Sequence, residues 1–500
     1  MKNKLTINTF SSLAYQISTV ICGFIIPKMI LATYGSEVNG LVNSITQFLQ
    51  IVGFLDFGVG AVIQSALYKP LVEKNKNDLS KIIKSGSNYF KNIAMILLLY
   101  VCILIFLLPR MINSSFDTAY IVTLIVVIAV SSFAQFYFGV VNGILITADQ
   151  KGYLKYNVQT ITLIVNTLVC VLLLKLGATI QMVKLSTSLI YLLRPIYLCF
   201  YVKENYDIDR KIILDEEPIK QKKNGFAQHL AAFITGSTDT IILTLFSGLT
   251  DVSVYSVYFL VINGLKQLIE SLTSGIQVLL GKLWAENNII EIKKYFFGVE
   301  WLTHFIVTIV FGATLILIIP FVLVYTQGIN DVNYYVPAFS VSITFAYWIY
   351  CLRIPYNMMI LVSGHYRETQ KCFITSAIIN IVSSVILVKI RGLVGVALGT
   401  MVAMIYQIVW LLKYNMKNIV LFGKSRVIRQ LLNDVIISGI SIIICLNFDR
   451  NCGAFSDWVK LAVKVVLTWI IISIIVNFVF FKKYIIKLYN KTIRERHNFE

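Results

Sequence analysis

Fourteen apolar runs of roughly 18 to 30 residues follow one another along this chain of 500 residues, separated by short polar segments. A helix needs about 20 apolar residues to cross a hydrocarbon core about 30 Å thick, whereas a barrel strand needs about 10 with alternating polarity. Backbone N–H and C=O groups find no partner in hydrocarbon, so runs of this length are predicted to be helices that satisfy their own backbone. Composition agrees: 57% of residues are hydrophobic and 14% charged, against about 25% charged in soluble domains. The mean hydropathy is +0.76. The chain reads as an all-α integral membrane protein embedded in a lipid bilayer.

The predicted spans are 5–33, 40–67, 91–109, 118–147, 157–176, 181–202, 226–248, 252–281, 295–324, 336–362, 372–389, 392–412, 431–448 and 459–481. Spans one and two are joined by a short polar turn over Gly35–Asn39. The opening residues MKNKLTINTF lead into an apolar stretch with no small-residue cleavage site, which reads as a retained first span and not a cleaved signal.

The formal net charge of +19 would suit nucleic acid or an anionic membrane surface. Its distribution decides for the membrane. Of the 44 Lys and Arg residues, 32 fall in the tails and loops on the side that holds the N-terminus, eight on the opposite side and four within spans. By the positive-inside rule both termini are cytoplasmic, in the cell membrane, and no nucleic-acid partner is needed. The outer loops are short, which leaves no room for an extracytoplasmic catalytic domain, and the chain is read as a non-enzyme. No HExxH, P-loop or GxSxG motif occurs, and the four histidines have no metal-ligand spacing. No cofactor is expected. The eight cysteines form no CxxC pair or cluster and read as small core residues.

A weak internal repeat divides the chain. At an offset of 213, Leu67, Lys69, Glu73 and Asn75 match Leu280, Lys282, Glu286 and Asn288; at 215, Asn142 and Gly177 match Asn357 and Gly392. Each block holds six spans, so the repeats are parallel, and a substrate site is expected between such halves near the bilayer midplane. The predicted organisation is two pseudo-symmetric six-helix lobes, 1–202 and 226–413, joined by a cytoplasmic linker 203–225. A C-terminal helix pair, 431–481, and a basic cytoplasmic tail, 482–500, complete the chain.

Charges inside the spans are the candidate functional residues. One at the bilayer centre costs about 2.5–3.5 kcal/mol on insertion scales and normally faces a bundle interior or wet cavity. Arg194 precedes Pro195 and Arg353 lies two residues before Pro355, so each guanidinium could bind a carbonyl freed by proline or a phosphate. Lys266 and Glu270 share a helical face at i, i+4 and could neutralise each other. Asp56 is set among glycines in GFLDFGVGA, which permits close helix approach or local unwinding. Lys28 follows Pro27, with snorkelling or a site role open to it. Asp239 lies in span seven. Glu300 and His304 share a face of span nine, as an inter-helix pair or a proton relay; His229 has the same ambiguity. Together these groups describe a water-filled, net cationic lumen for an anionic or highly polar cargo. Without a P-loop, transport would run on an ion gradient (H+ or Na+), the membrane potential or the cargo's own gradient, unless a separate ATPase assists.

The segments PKMILATYGSEVNGLVNSITQFL from Pro27, DFGVGAVIQSALYKPL from Asp56, STDTIILTLFSGLTDVSVYSVY from Ser237 and SGIQVLLGKLWAE from Ser274 together resemble Wzx-type polysaccharide flippases of the multidrug/oligosaccharidyl-lipid/polysaccharide exporter superfamily. The resemblance implies translocation of undecaprenyl-diphosphate-linked oligosaccharide repeat units from the inner to the outer leaflet by alternating access. Capsule, exopolysaccharide or O-antigen assembly would be the purpose, and polysaccharide assembly proteins the partners. It implies lumen roles for Lys28, where relatives often carry Arg, and for Asp239 of the STD segment. With Arg194, Lys266 and Arg353, Lys28 is a substrate-binding candidate; Asp56, Asp239 and Glu270 are coupling or lumen-gating candidates. The alternatives are a lipid II flippase and a drug/cation antiporter of the same superfamily.

Overall fold

The computed structural model describes the backbone of residues 2–56, 59–112, 114–209, 211–214 and 226–497. Side chains are described at these positions except 2–5, 226–233, 235, 274–275, 278, 285 and 482–497. The DEEPIKQKKNG charge cluster of the linker and the side chains of His229 and of the basic tail lie outside the described residues. Apart from short connections, the described chain is helical, with no strand among the described residues. In order it forms α1 (Lys2–Gln50), a 3-10 segment Ile51–Asp56, α2 (Val59–Glu73), α3 (Lys76–Met111), α4 (Thr118–Ala134), a π-helical segment Gln135–Gly139 and α5 (Val140–Ala148). There follow α6 (Gly152–Lys175), α7 (Ile180–Asn205), α8 (Phe226–Phe246), α9 (Leu249–Ala285), α10 (Ile289–Tyr325), α11 (Pro337–Leu352), α12 (Ile354–Ser363), α13 (Tyr366–Arg391) and α14 (Leu393–Tyr414). A second π-helical segment, Asn415–Ile419, α15 (Lys424–Leu446) and α16 (Phe455–His497) end the chain.

Among the described residues, twelve helical stretches are long and apolar enough to cross a membrane. One of them, Thr6–Asp56, has 51 residues, about 75 Å of helix at 1.5 Å per residue, more than twice the hydrocarbon thickness. It is broken at Gly35, whose φ of 81° and ψ of −179° are non-helical. Dividing it there and adding α8, of 21 residues, gives the fourteen passes read from the sequence. The polar turn expected over Gly35–Asn39 is thus a single-residue break. Asp331 accepts from the Ser36 N–H at 2.6 Å and from its hydroxyl at 2.8 Å, and so caps the helix that restarts there. A Cβ on Gly35 would stand 2.9 Å from the Asp331 carboxylate.

Two further spans are less regular than expected. Span two, predicted continuous over 40–67, tightens into the 3-10 segment that ends at Asp56. Span ten, predicted over 336–362, is interrupted at Arg353, because Pro355 has no N–H to return to the carbonyl of Cys351.

The chain divides into two compact units, Met1–Ser256 with Gly328–Val332 and Ser384–Val396, and Val257–Gln327 with Asn333–Ser383 and Ala397–Glu500. The first unit buries Leu41, Ile45, Ile63, Leu67, Leu97, Leu124 and Leu145 in one apolar core. α3 is apolar all round in its middle: Leu97, Val101 and Leu104 face inward while Leu99, Ile103 and Phe106 are exposed. That outer face is what a helix offers to lipid. Gly40 of α1 lies against the chain at the start of α9, where an added Cβ would stand 1.8 Å from the carbonyl oxygen of Leu249.

The internal repeat is visible in local structure. Lys74 and Asn287, 213 residues apart, both adopt φ of 53°. Asn75 and Asn288 then cap α3 and α10, accepting from the N–H groups of Asp78 and Glu291, each at 3.2 Å. The turn before each cap carries a surface ion pair, Lys69–Glu73 and Lys282–Glu286, both at 3.8 Å.

In the second unit α10 is tied to α15 by polar groups. Glu300, 1% exposed, accepts from Arg426 Nε at 2.8 Å and from the Tyr356 hydroxyl at 2.8 Å. One turn on, His304 Nδ1 pairs with Asp434 at 2.5 Å, and Gln430 donates to the same carboxylate. Trp301 Nε1 donates to Asn477 of α16. Glu300 and His304 therefore each bond across to α15.

Two stability predictions follow from these contacts. Gly40→Ala should destabilise by about 1–3 kcal/mol, since a backbone carbonyl cannot move aside like a side chain; Gly264→Ala, with open space around it, should leave thermal unfolding in detergent unchanged. Arg426→Gln should cost about 3–5 kcal/mol by leaving Glu300 charged and buried without its cation. The Glu300→Gln/Arg426→Gln double variant should recover most of that loss in the same melting experiment.

Candidate functional site

Three of the intramembrane charges singled out from the sequence meet at one tyrosine of the second unit. α9 carries Lys266 and Glu270 one turn apart, α11 carries Tyr350, and Arg353 occupies the break between α11 and α12. The Tyr350 hydroxyl donates to Glu270 at 2.8 Å. Lys266 Nζ lies 4.8 Å from the centre of the Tyr350 ring, and the Arg353 guanidinium carbon lies 4.2 Å from it. Lys266 and Glu270, one helical turn apart, form no ion pair with each other among the described residues; the phenol stands between them, taking one charge on its ring and the other at its hydroxyl. Cations over an aromatic ring gain about 0.5–2 kcal/mol, more as water is excluded.

Arg353 is placed by its backbone. Its own N–H still reaches the carbonyl of Ile349 and its carbonyl accepts from Asn357, so the helix continues through a tight turn and does not unravel. The residue is 8% exposed, and its Nε has no hydrogen-bond partner among the described residues. A buried guanidinium edge with a free donor is costly unless something binds it. Tyr347, one turn from Tyr350, extends the aromatic wall with ring centres 5.9 Å apart, and Phe259 continues it at 5.5 Å from Tyr347. The cluster carries two positive charges and one negative, on a wall of aromatic faces.

The other candidates have separate surroundings in the first unit. Arg194 donates from Nε to the Thr162 hydroxyl at 2.7 Å and from a terminal nitrogen to the Gln159 carbonyl, while lying 3.7 Å over the Tyr191 ring. Its proline neighbour is buried within α7, and the guanidinium is spent on α6. Asp56 accepts the Gly60 N–H at 3.1 Å, closing the gap between the 3-10 segment and α2. Asp239 is 3% exposed and accepts from the Tyr255 hydroxyl at 3.1 Å. Lys28 lies exposed on α1, one residue after Pro27.

Sequence reasoning missed Tyr350, since a tyrosine in an apolar run has no charge to draw notice. Its signal is spacing: Tyr347, Tyr350 and Arg353 recur every three residues just before Pro355. Arg426 and Asp434 were likewise passed over, although Arg426, Gln430, Asn433 and Asp434 follow helical spacing on one face of α15. Among the described residues no group of three or more His, Cys, Asp or Glu side chains could hold a metal ion.

No protein-family model matches the chain, and no curated protein sequence matches it. Among solved structures, the lipid II flippase MurJ in its inward closed conformation is similar with a TM-score of 0.73 and 16% identity, over 95% of this chain and 100% of that one. An inward-facing multidrug resistance MATE family transporter of the MOP superfamily is similar with a TM-score of 0.56 and 15% identity, over 79% of this chain and 94% of that one. The eukaryotic MATE transporter AtDTX14 is similar at 0.56 and 15%, over 94% and 98%. At this identity the likeness is one of fold: a multi-pass helical membrane protein built as these transporters are.

Proposed function

We propose that the chain is a flippase that moves undecaprenyl-diphosphate-linked oligosaccharide repeat units from the inner to the outer leaflet of the cytoplasmic membrane by alternating access, for capsule, exopolysaccharide or O-antigen synthesis. The observation that carries this reading is the Tyr350 cluster, net cationic and aromatic, half-buried at Lys266, Glu270 and Tyr350 and buried at Arg353, whose Nε donor is unspent among the described residues. A diphosphate bearing a hydrophilic oligosaccharide cannot enter hydrocarbon, whereas its polyprenyl tail can stay there. The protein then need offer only a polar surface for the head group. In this reading Lys266 and Arg353 meet the diphosphate, Tyr347 and Tyr350 present ring faces to the sugars, and Glu270 holds the Tyr350 hydroxyl in place. The six-helix lobes 1–202 and 226–413, the cytoplasmic termini and a coupling ion belong to the same proposal. The MurJ likeness supports a second reading, lipid II as cargo, since that molecule presents the same diphosphate chemistry.

Deleting the gene in its host and analysing the lipid fraction tests both. Accumulation of a complete repeat unit on undecaprenyl diphosphate, with loss of surface polysaccharide, is the expected result. Accumulation of lipid II with arrested peptidoglycan synthesis would transfer the reading to the second cargo, and unchanged glycan with altered sensitivity to cationic drugs would overturn both. A hydrogen bond to a charged group contributes about 1.5–3 kcal/mol, or about 10- to 150-fold. Lys266→Gln and Arg353→Gln should therefore each restore less than about a tenth of surface polysaccharide in the deletion strain. Arg194→Gln should act mainly on stability, because that guanidinium is bonded to α6. Full restoration by Lys266→Gln and Arg353→Gln would remove the Tyr350 cluster from the transport path.

A further inference from the structure

A cavity of about 270 Å³ lies within the first unit, remote in sequence from Tyr350, and is lined by α3, the π-helical segment, α5 and α7. Its wall contains Lys84, Asn88 and Lys91 of α3 at i, i+4 and i+7, with Ser87 beside them. The two lysines are two turns apart, about 10 Å along the helix. Across from them stand Tyr137 and the neighbouring phenylalanines of the π-helical segment, and Asn142 of α5. Among the described residues no carboxylate lines it.

The π-helical turn has a local cause. A Cβ on Gly139 would approach Pro195 of α7 to 3.0 Å, so α7 packs directly against the widened turn. The Val140 N–H returns to the Gln135 carbonyl, five residues back, and Asn142 donates to the Phe138 carbonyl at 2.8 Å. The inserted residue turns a row of three aromatic side chains onto the cavity, and π-bulges inside helices occur frequently at functional sites. Lys91 Nζ lies 5.3 Å from the Tyr137 ring centre. Lys84 Nζ donates to the Ile212 carbonyl at 2.6 Å and has two more N–H bonds to give. Lys91 stands where the apolar part of α3 begins, 15 residues after the helix starts.

Two lysines two turns apart on one wall, with no carboxylate among the described lining residues, place like charges side by side, and an anion shared between them relieves that repulsion. Aromatic walls and two amides suit an anion attached to an apolar or sugar-like body. We propose that this cavity binds a phosphate group, with Lys84 and Lys91 as its charge partners and Ser87, Asn88 and Tyr137 as neutral donors. A membrane lipid headgroup and free phosphate both present that chemistry. The proposal does not depend on which cargo the chain transports.

The full chain in detergent, titrated with dihexanoyl phosphatidic acid and separately with inorganic phosphate and followed by native mass spectrometry, tests it. Lys84→Gln also loses the tie to Ile212, so Lys91→Gln is the informative variant. It should weaken saturable binding fivefold or more, Lys91→Arg should keep it, and Lys464→Gln, which removes an equal charge from an exposed site on α16, should leave it unchanged. Binding of the lipid probe alone would identify a headgroup as the source of the phosphate, and binding of both probes would show that the phosphate group suffices. Absence of saturable binding by either probe, or equal losses in Lys91→Gln and Lys464→Gln, would overturn the proposal.

Discussion

A charge buried among membrane helices must be neutralised, bonded or kept for a ligand, because hydrocarbon offers it nothing. The second unit shows two answers a few turns apart. Glu300 has both oxygens occupied by Arg426 and Tyr356, and His304 is held by Asp434. These groups are consumed in joining α10 to α15. At Tyr350 the balance is different: two cations share one aromatic ring, one carboxylate takes the phenol proton donor, and the Arg353 Nε is left over. His304 Nε2 is likewise without a partner among the described residues, so what sets the Tyr350 cluster apart is that two cations and one carboxylate converge on a single phenol.

At several interruptions of the helices another group takes over a released backbone bond or caps the restart. At Gly35 the carboxylate of Asp331 takes the next N–H. After the 3-10 segment Asp56 does so for Gly60. The π-helical turn at Gln135–Gly139 is compensated by Asn142, and the one at Asn415–Ile419 by Asn415, whose amide bridges the carbonyls of Tyr356 and Leu411. At these four breaks a polar side chain bonds the backbone nearby, as irregular structure inside a membrane requires. The break at Arg353 and the one at Gln135–Gly139 adjoin the two places where cationic and aromatic side chains line open space or an unspent donor.

Much of the architecture was legible in one dimension. Helix length and the bilayer's thickness fix the number of passes, and the recurrence of Asn75 and Asn288 after a left-handed residue preserves the repeat in the backbone itself. Lys266, Glu270 and Arg353, singled out by charge, meet at Tyr350. Charge gave no sign of the contacts of Arg194, for a physical reason: the Thr162 hydroxyl and the Gln159 carbonyl that engage it lie about a helix away in sequence and carry no charge. It also overlooked Tyr350, Arg426 and Asp434, the first because it is neutral and the others because their partners sit on α10, more than a hundred residues away.

What the sequence determined by itself is what depends on neighbours along the chain: apolar length, helix-breaking residues, caps and the bias of basic loops. What only the tertiary structure decided is which buried charges are spent. Hydrogen bonds and ring contacts between residues 30 to 130 positions apart set that balance, as with Arg194 and Thr162 or Glu300 and Arg426. Neither periodicity nor composition records it, because the partner that satisfies a charge is chosen by helix packing and not by spacing along the chain.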